Sequence, residues 1–225
     1  MLQAHTQKIE QSKHIVIQTK SENFANATVL YSYILTLHKK VTLYCEDEVH
    51  QRFAFLPWYD KIKPSLPSSA EYTIVVGGDT LSYYDFFNTN NIKLNSKMAT
   101  GLYAALYEKY EYFSAIKSDG ILFATLSKLV ESGANCEAVE QHLYRSNPLS
   151  LFRIKATLYQ SMLLVKSATE VELFLCDADL KASGASIYEV TKAMQELLTL
   201  AHVKKVVLKK SDQDMKVIKE IEIVK

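Results

Sequence analysis

The most constraining feature of the chain is how little sequence separates one extended run from the next through a helix. His14 to Lys20 is dense in β-branched residues and reads as a strand. Asn23 is placed to cap the following segment, Phe24 to Lys39, which is apolar on most faces and reads as a buried helix. Lys40 to Cys45 is a second extended run that begins at once. A strand, a buried helix and a strand with no room for a long return loop form a βαβ crossover, and this demands a parallel sheet.

The rest of the chain extends this pattern. Glu48 to Leu56 reads as a helix stopped by Pro57, and Pro64, Pro67 and their serines mark a loop. Tyr72 to Val76 is a third strand ending at Gly77-Gly78. A short helix is predicted over 79–87, one from about Lys97 to Tyr110 capped by Ser96, and one from Asp119 to Ser132 with Gly133 beyond it. Residues 136–146 and 149–166 read as two amphipathic helices parted by Asn147-Pro148. After Ser167 the texture changes to strand (Glu170 to Leu175), helix (Ile187 to Ala201), strand (Lys204 to Lys209) and closing strand (Met215 to Val224), with a hairpin turn at Ser211 to Asp214. The fold class expected is α/β: a mainly parallel sheet flanked by helices over residues 1–147, a helical connector over 148–167, and a smaller α+β domain over 168–225.

Composition narrows the setting. Among 225 residues, 6 are glycine and 4 proline, so regular structure should dominate. The formal net charge of +1 gives no electrostatic reason to expect a polyanionic partner. Cys45, Cys136 and Cys176 are an odd number at no metal-ligand spacing, which points to a reducing, cytoplasmic setting. No apolar run approaches the roughly 18–20 residues of a membrane span. The histidines at 5, 14, 38, 50, 142 and 202 are scattered and form no ligand pair.

The order of these segments resembles the DHH/DHHA1 phosphoesterases, in particular the oligoribonuclease and adenosine bisphosphate phosphatase type. Ser12 to Lys20 looks like that family's first strand, Lys39 to Asp47 like its second, and Phe55 to Lys63 like the stretch leading to its third. Glu131 to Glu140 resembles its Gly-Ala-x-Pro-Glu-x-Ile helix start, and Asn147 to Lys155 the start of its connecting helix. The resemblance implies a phosphoesterase fold and a centre of two divalent cations, usually Mn²⁺, held by aspartates and histidines that activate the attacking water.

The motifs that would hold those cations are altered. Where the family has H-x-N-P-D-G-D, this chain has Lys20-Ser-Glu-Asn-Phe-Ala-Asn26, so that Lys20, Phe24 and Asn26 stand at ligand positions. The end of the third strand offers Gly78 and Asp79, and Asp79 is the one ligand the resemblance preserves. Adjacent histidines occur nowhere, and Lys109, beside Glu108, stands at the position of the fourth motif's aspartate. The C-terminal part, Gly184 to Leu208, resembles the beginning of the family's substrate-binding domain, and the glycine-rich phosphate clamp that follows there has no counterpart before Lys225.

The expectation is therefore a protein without the family's chemistry and without a resident cofactor, which acts as a protein-binding or scaffold subunit or as a homo-oligomer. Tyr83 and Tyr84, and Tyr103, Tyr107 and Tyr110 on one helix face, are the interface candidates if exposed, and a core stripe if not. Glu108 and Glu111 among them disfavour stacking on nucleic acid. Two other readings remain. A residual Mn²⁺ phosphoesterase acting on short oligoribonucleotides or bisphosphorylated nucleosides would draw on Asp47, Asp79, Asp85 and Glu108. A metal-free nucleotide sensor would hold an anion with Lys20, Lys109 and the backbone of Gly77-Gly78.

Overall fold

The computed structural model describes residues 2–110, 112–113, 119–211 and 215–222. The chain forms two compact units, Met1–Ser146 and Asn147–Lys225.

The first unit contains α1 (Thr6–Gln11), β1 (His14–Thr19), α2 (Phe24–Thr36), β2 (Lys40–Cys45), β3 (Ile62–Lys63), β4 (Tyr72–Val75), α3 (Thr80–Thr89), α4 (Ser96–Lys109), α5 (Gly120–Glu131) and α6 (Cys136–Glu140). Its sheet has the order β3-β2-β1-β4. Every pairing is parallel, with β1 against β2 from His14↔Lys40 to Thr19↔Cys45 and against β4 from Ile15↔Tyr72 to Gln18↔Val75. The β-branched run is thus the central strand, and Ile15, Val16 and Ile17 are fully buried.

The helix α2 is buried almost all round, from Phe24 through Ile34. That explains its uniformly apolar sequence, since it lies between the sheet and α4. The helices α2 and α4 pack tightly at Gly101, where a Cβ would stand 2.7 Å from Val29 Cγ2. The helix expected over Glu48 to Leu56 is reduced to a single 3-10 turn, Gln51–Phe53. Tertiary contacts take over this segment: the Val49 carbonyl accepts from the Tyr59 hydroxyl at 3.1 Å, and Trp58 turns the chain at φ 73°.

The second unit contains α7 (Leu149–Gln160), β5 (Leu163–Val165), β6 (Glu170–Leu175), α8 (Asp177–Ser183), α9 (Ile187–Leu197), β7 (Lys205–Lys210) and β8 (Val217–Glu222). The sheet order is β5-β6-β7-β8, with the central pair parallel and both outer pairs antiparallel. Leu151, Ile154 and Leu158 of α7 join Val190, Ala193 and Met194 of α9 over Val171, Leu173 and Val206 of the sheet. The helix expected over 149–166 therefore ends six residues early, and Leu163 to Val165 form an edge strand instead. The turn expected at Ser211 to Asp214 falls largely outside the described residues. Among the described residues, no helix is long and apolar enough to cross a membrane.

Candidate functional site

In an open parallel sheet the side chains available for chemistry collect beyond the carboxyl ends of the strands, because each strand there hands over to a loop and a helix N-terminus. Lys20 directly follows β1. It is exposed and in extended conformation (φ −104°, ψ 162°), and it opens a 3-10 turn at Ser21–Asn23. Asp47, just beyond β2, holds that turn: the backbone N–H and the hydroxyl of Ser21 each donate to its carboxylate at 2.7 Å. Those two bonds stabilise the charged form and hold the Asp47 carboxyl below the usual range.

Phe24 points into the core. It is fully buried, with the rings of Phe53 and Tyr59 each 5.9 Å away between centroids. Asn26, in the first turn of α2 and only 5% exposed, donates from Nδ2 to the hydroxyl of Thr80 at 3.2 Å. Its Oδ1 is buried with no hydrogen-bond partner among the described residues.

Beyond β4 the chain turns through Gly77-Gly78. Gly78 has φ 85°, a conformation that favours glycine, and the Gly77 carbonyl accepts from the Tyr83 hydroxyl at 2.6 Å. Asp79 follows at the N-cap of α3. Its carboxylate does not cap the helix but forms an ion pair with Lys109, at the end of α4. The neighbouring residue, Glu108, pairs with Arg52 at 2.6 Å. The last turn of α4 is thereby tied to both flanking loops, to one through Glu108 and to the other through Lys109.

The fold thus joins Asn26 to Thr80 and the neighbouring Asp79 to Lys109, and leaves Lys20 exposed at the end of β1 without an ion pair among the described residues. It sends Phe24 elsewhere. The carboxylates of the residual-enzyme reading do not converge: Asp47 is bonded to Ser21, Asp79 to Lys109 and Glu108 to Arg52, while Asp85 is exposed. Among the described residues, no group of three or more His, Cys, Asp or Glu side chains is arranged to hold a metal ion. A pair of hard cations needs several carboxylates around it. A phenyl ring in the core, an ammonium and a carboxamide do not fit that requirement.

The tyrosines divide by burial. Tyr83 is 2% and Tyr107 7% exposed, so of the two alternatives these residues take the core one and are not interface residues. Tyr84, Tyr103 and Tyr110 are half-buried and packed against the same core. Tyr103 stacks on Tyr107 at 6.3 Å, and the Phe113 ring meets both edge-on. Burial drives the Tyr103 hydroxyl well above its ordinary pKa. Glu111 lies outside the described residues. Arg52, Ser21 and Thr80 carry no sequence signal for these contacts, because each partner is at least 26 residues away in the chain.

The first unit is therefore a parallel α/β scaffold that carries these side chains beyond the carboxyl ends of β1 and β4. No protein-family model matches the chain, and no curated protein does. Among solved structures, the fold is similar to that of an exopolyphosphatase-related protein from Bacteroides fragilis, with a TM-score of 0.78 at 10% identity over 94% of this chain and 79% of that one. A family II inorganic pyrophosphatase from Methanococcus jannaschii overlaps 88% of this chain and 83% of its own at 12% identity, with a TM-score of 0.34 that adds nothing to the argument. The first likeness is one of fold and agrees with the architecture expected from the order of segments.

Proposed function

We propose that this chain is a non-catalytic relative of the DHH phosphoesterases, working in the cytoplasm as a protein-binding or scaffold subunit. The observation that carries the reading is the pairing of Lys109 with Asp79, at the place where the family resemblance puts cation ligands. Burial of Phe24 supports it independently, since that side chain is used to build the core. A protein partner is favoured by the large apolar side chains left exposed on the second unit, among them Leu149 and Phe152 of α7 and Leu163 and Leu164 of the edge strand β5.

The test is turnover. Purified protein incubated with Mn²⁺ and short oligoribonucleotides or a bisphosphorylated nucleoside should release no product above a protein-free control. Release that is abolished by a chelator sinks the reading and moves the residual phosphoesterase to the front. The metal-free nucleotide reading is supported by one observation, the exposed Lys20 ammonium at the end of β1. It predicts a rise in melting temperature at millimolar nucleotide that disappears in Lys20→Ala.

A further inference from the structure

At the end of α2 opposite Asn26, the first unit holds a cavity of about 340 Å³ between the last turn of α2, the first turn of α4 and Trp58. That volume is at the lower end of the range of small-molecule sites. The hydroxyls that α2 brings to it are already spent as donors. Ser32 donates to the Thr28 carbonyl at 2.9 Å and Thr36 to the Tyr33 carbonyl at 2.6 Å. Ser32 also accepts from the indole N–H of Trp58 at 2.8 Å. The polar groups left over come from the start of α4. Asn95 accepts from the Met98 N–H at 3.0 Å through Oδ1, which fixes the carboxamide and leaves Nδ2 as its donor end. Ser96 adds a hydroxyl, and Lys97 adds an exposed ammonium without an ion pair among the described residues.

The apolar part of the wall is Trp58 and Leu35, and Leu35 is 37% exposed. Trp58 lies in the left-handed region at φ 73°, which a bulky residue adopts only when its surroundings dictate it. The Tyr31 ring lies 5.0 Å from the indole, and the Lys97 ammonium stands 4.2 Å from its centroid. An exposed ammonium gains little from an aromatic face, so a full negative charge can draw it away. No acidic side chain lines the cavity among the described residues. We infer that this cavity binds a small aromatic carboxylate, with its ring against Trp58 and Leu35 and its carboxylate taking the donors of Asn95, Ser96 and Lys97. One ammonium matches the single charge of a carboxylate better than a phosphate monoester, which carries nearly two. The site is independent of the scaffold reading. Turnover by the parent overturns that reading and leaves this one standing.

Trp58 is the only tryptophan of the chain, so its fluorescence reports on the cavity directly. The probe is benzoate, titrated through the millimolar range, the affinity open to so small a ligand. The parent should give a saturable change, and benzamide (the ring without the charge) and acetate (the charge without the ring) should give none over the same range. Lys97→Gln should weaken benzoate binding about tenfold or more, the worth of a hydrogen bond to a charged group. Ser96→Asp should abolish it by repelling the anion. An acidic residue in the first turn favours the helix, so circular dichroism should show that variant folded. Lys128→Gln, which removes an exposed lysine from α5, should bind as the parent does. A parent without a saturable response overturns the inference, as does binding undiminished in Lys97→Gln or Ser96→Asp, or a benzamide response equal to that of benzoate.

Discussion

Arg52 and Glu108 are joined by a 2.6 Å ion pair in which each side chain is 21% exposed, and the pair links the loop after β2 to the last turn of α4. Burial is the stronger influence on Glu108 and raises its carboxyl above the usual range, while the Arg52 guanidinium pulls the other way. A carboxyl with a raised folded-state pKa holds its proton more firmly than the unfolded chain does. Its contribution to stability is therefore complete below the unfolded value, about 4.3, and is lost as pH rises through the folded value. Glu108→Gln does not titrate. Denaturant melts from about pH 4 to pH 7 should show the variant gaining on the parent as pH rises. A gap that moves in the parent's favour contradicts this account of Glu108.

Gly101 sets the distance between α2 and α4. A Cβ there would meet Val29 Cγ2 at 2.7 Å, Thr28 Oγ1 at 2.9 Å and the Ala25 carbonyl at 3.2 Å. Thr28 cannot easily turn aside, because its hydroxyl donates to that same carbonyl at 2.7 Å. Alanine gains about 1 kcal/mol of helix propensity, against about 1–3 kcal/mol for overpacking a close-packed interior. Gly101→Ala should be destabilised by about 1 kcal/mol or more, and Gly101→Val by more again. Thermal melts of the two variants check the ordering, and an alanine variant more stable than the parent would show that the helices separate at little cost.

Tyr83 serves the turn before α3 with its hydroxyl, which donates to the Gly77 carbonyl at 2.6 Å while the ring is buried. Tyr83→Phe keeps the ring and removes the bond. The expected loss is about 0.5–1.5 kcal/mol, read from the denaturant midpoint. No loss would mean that water serves the carbonyl equally well.

The first sheet was legible because β1, α2 and β2 follow one another too closely for anything but a parallel crossover. The end of α7 was not. Leu163 to Val165 continue an apolar pattern that suits helix or strand, and the choice is made by Ser161. Its hydroxyl donates to the Phe174 carbonyl at 3.0 Å and accepts from the Phe174 N–H at 3.1 Å, and so draws the chain into the sheet. The helix α8 escaped notice for a related reason: its capping box pairs Asp179 with a cysteine, Cys176, in place of the usual serine or threonine. At the candidate site, Asp79 and Lys109 were each singled out from the sequence. Their pairing across 30 residues depends on where α4 ends relative to β4, which no local pattern encodes.

Phe24 bears directly on the proposed reading. Its ring lies fully buried between Phe53 and Tyr59, so an aspartate there would place a carboxylate among aromatic rings. Phe24→Ala should cost about 3–5 kcal/mol, as for other large aromatic truncations in a core. Phe24→Asp should cost at least as much, because a buried charge without a partner adds its own desolvation. Neither should bind Mn²⁺, since the side chain at this position is buried in the core against Phe53 and Tyr59. Denaturant midpoints with and without Mn²⁺ decide the matter. A Phe24→Asp protein within about 1 kcal/mol of the parent, well short of the cost of a core truncation, and stabilised by the ion would show that the helix can turn this position out of the core. On the reading proposed above, the missing carboxylate at this position would then be a matter of one residue rather than of how the core is built.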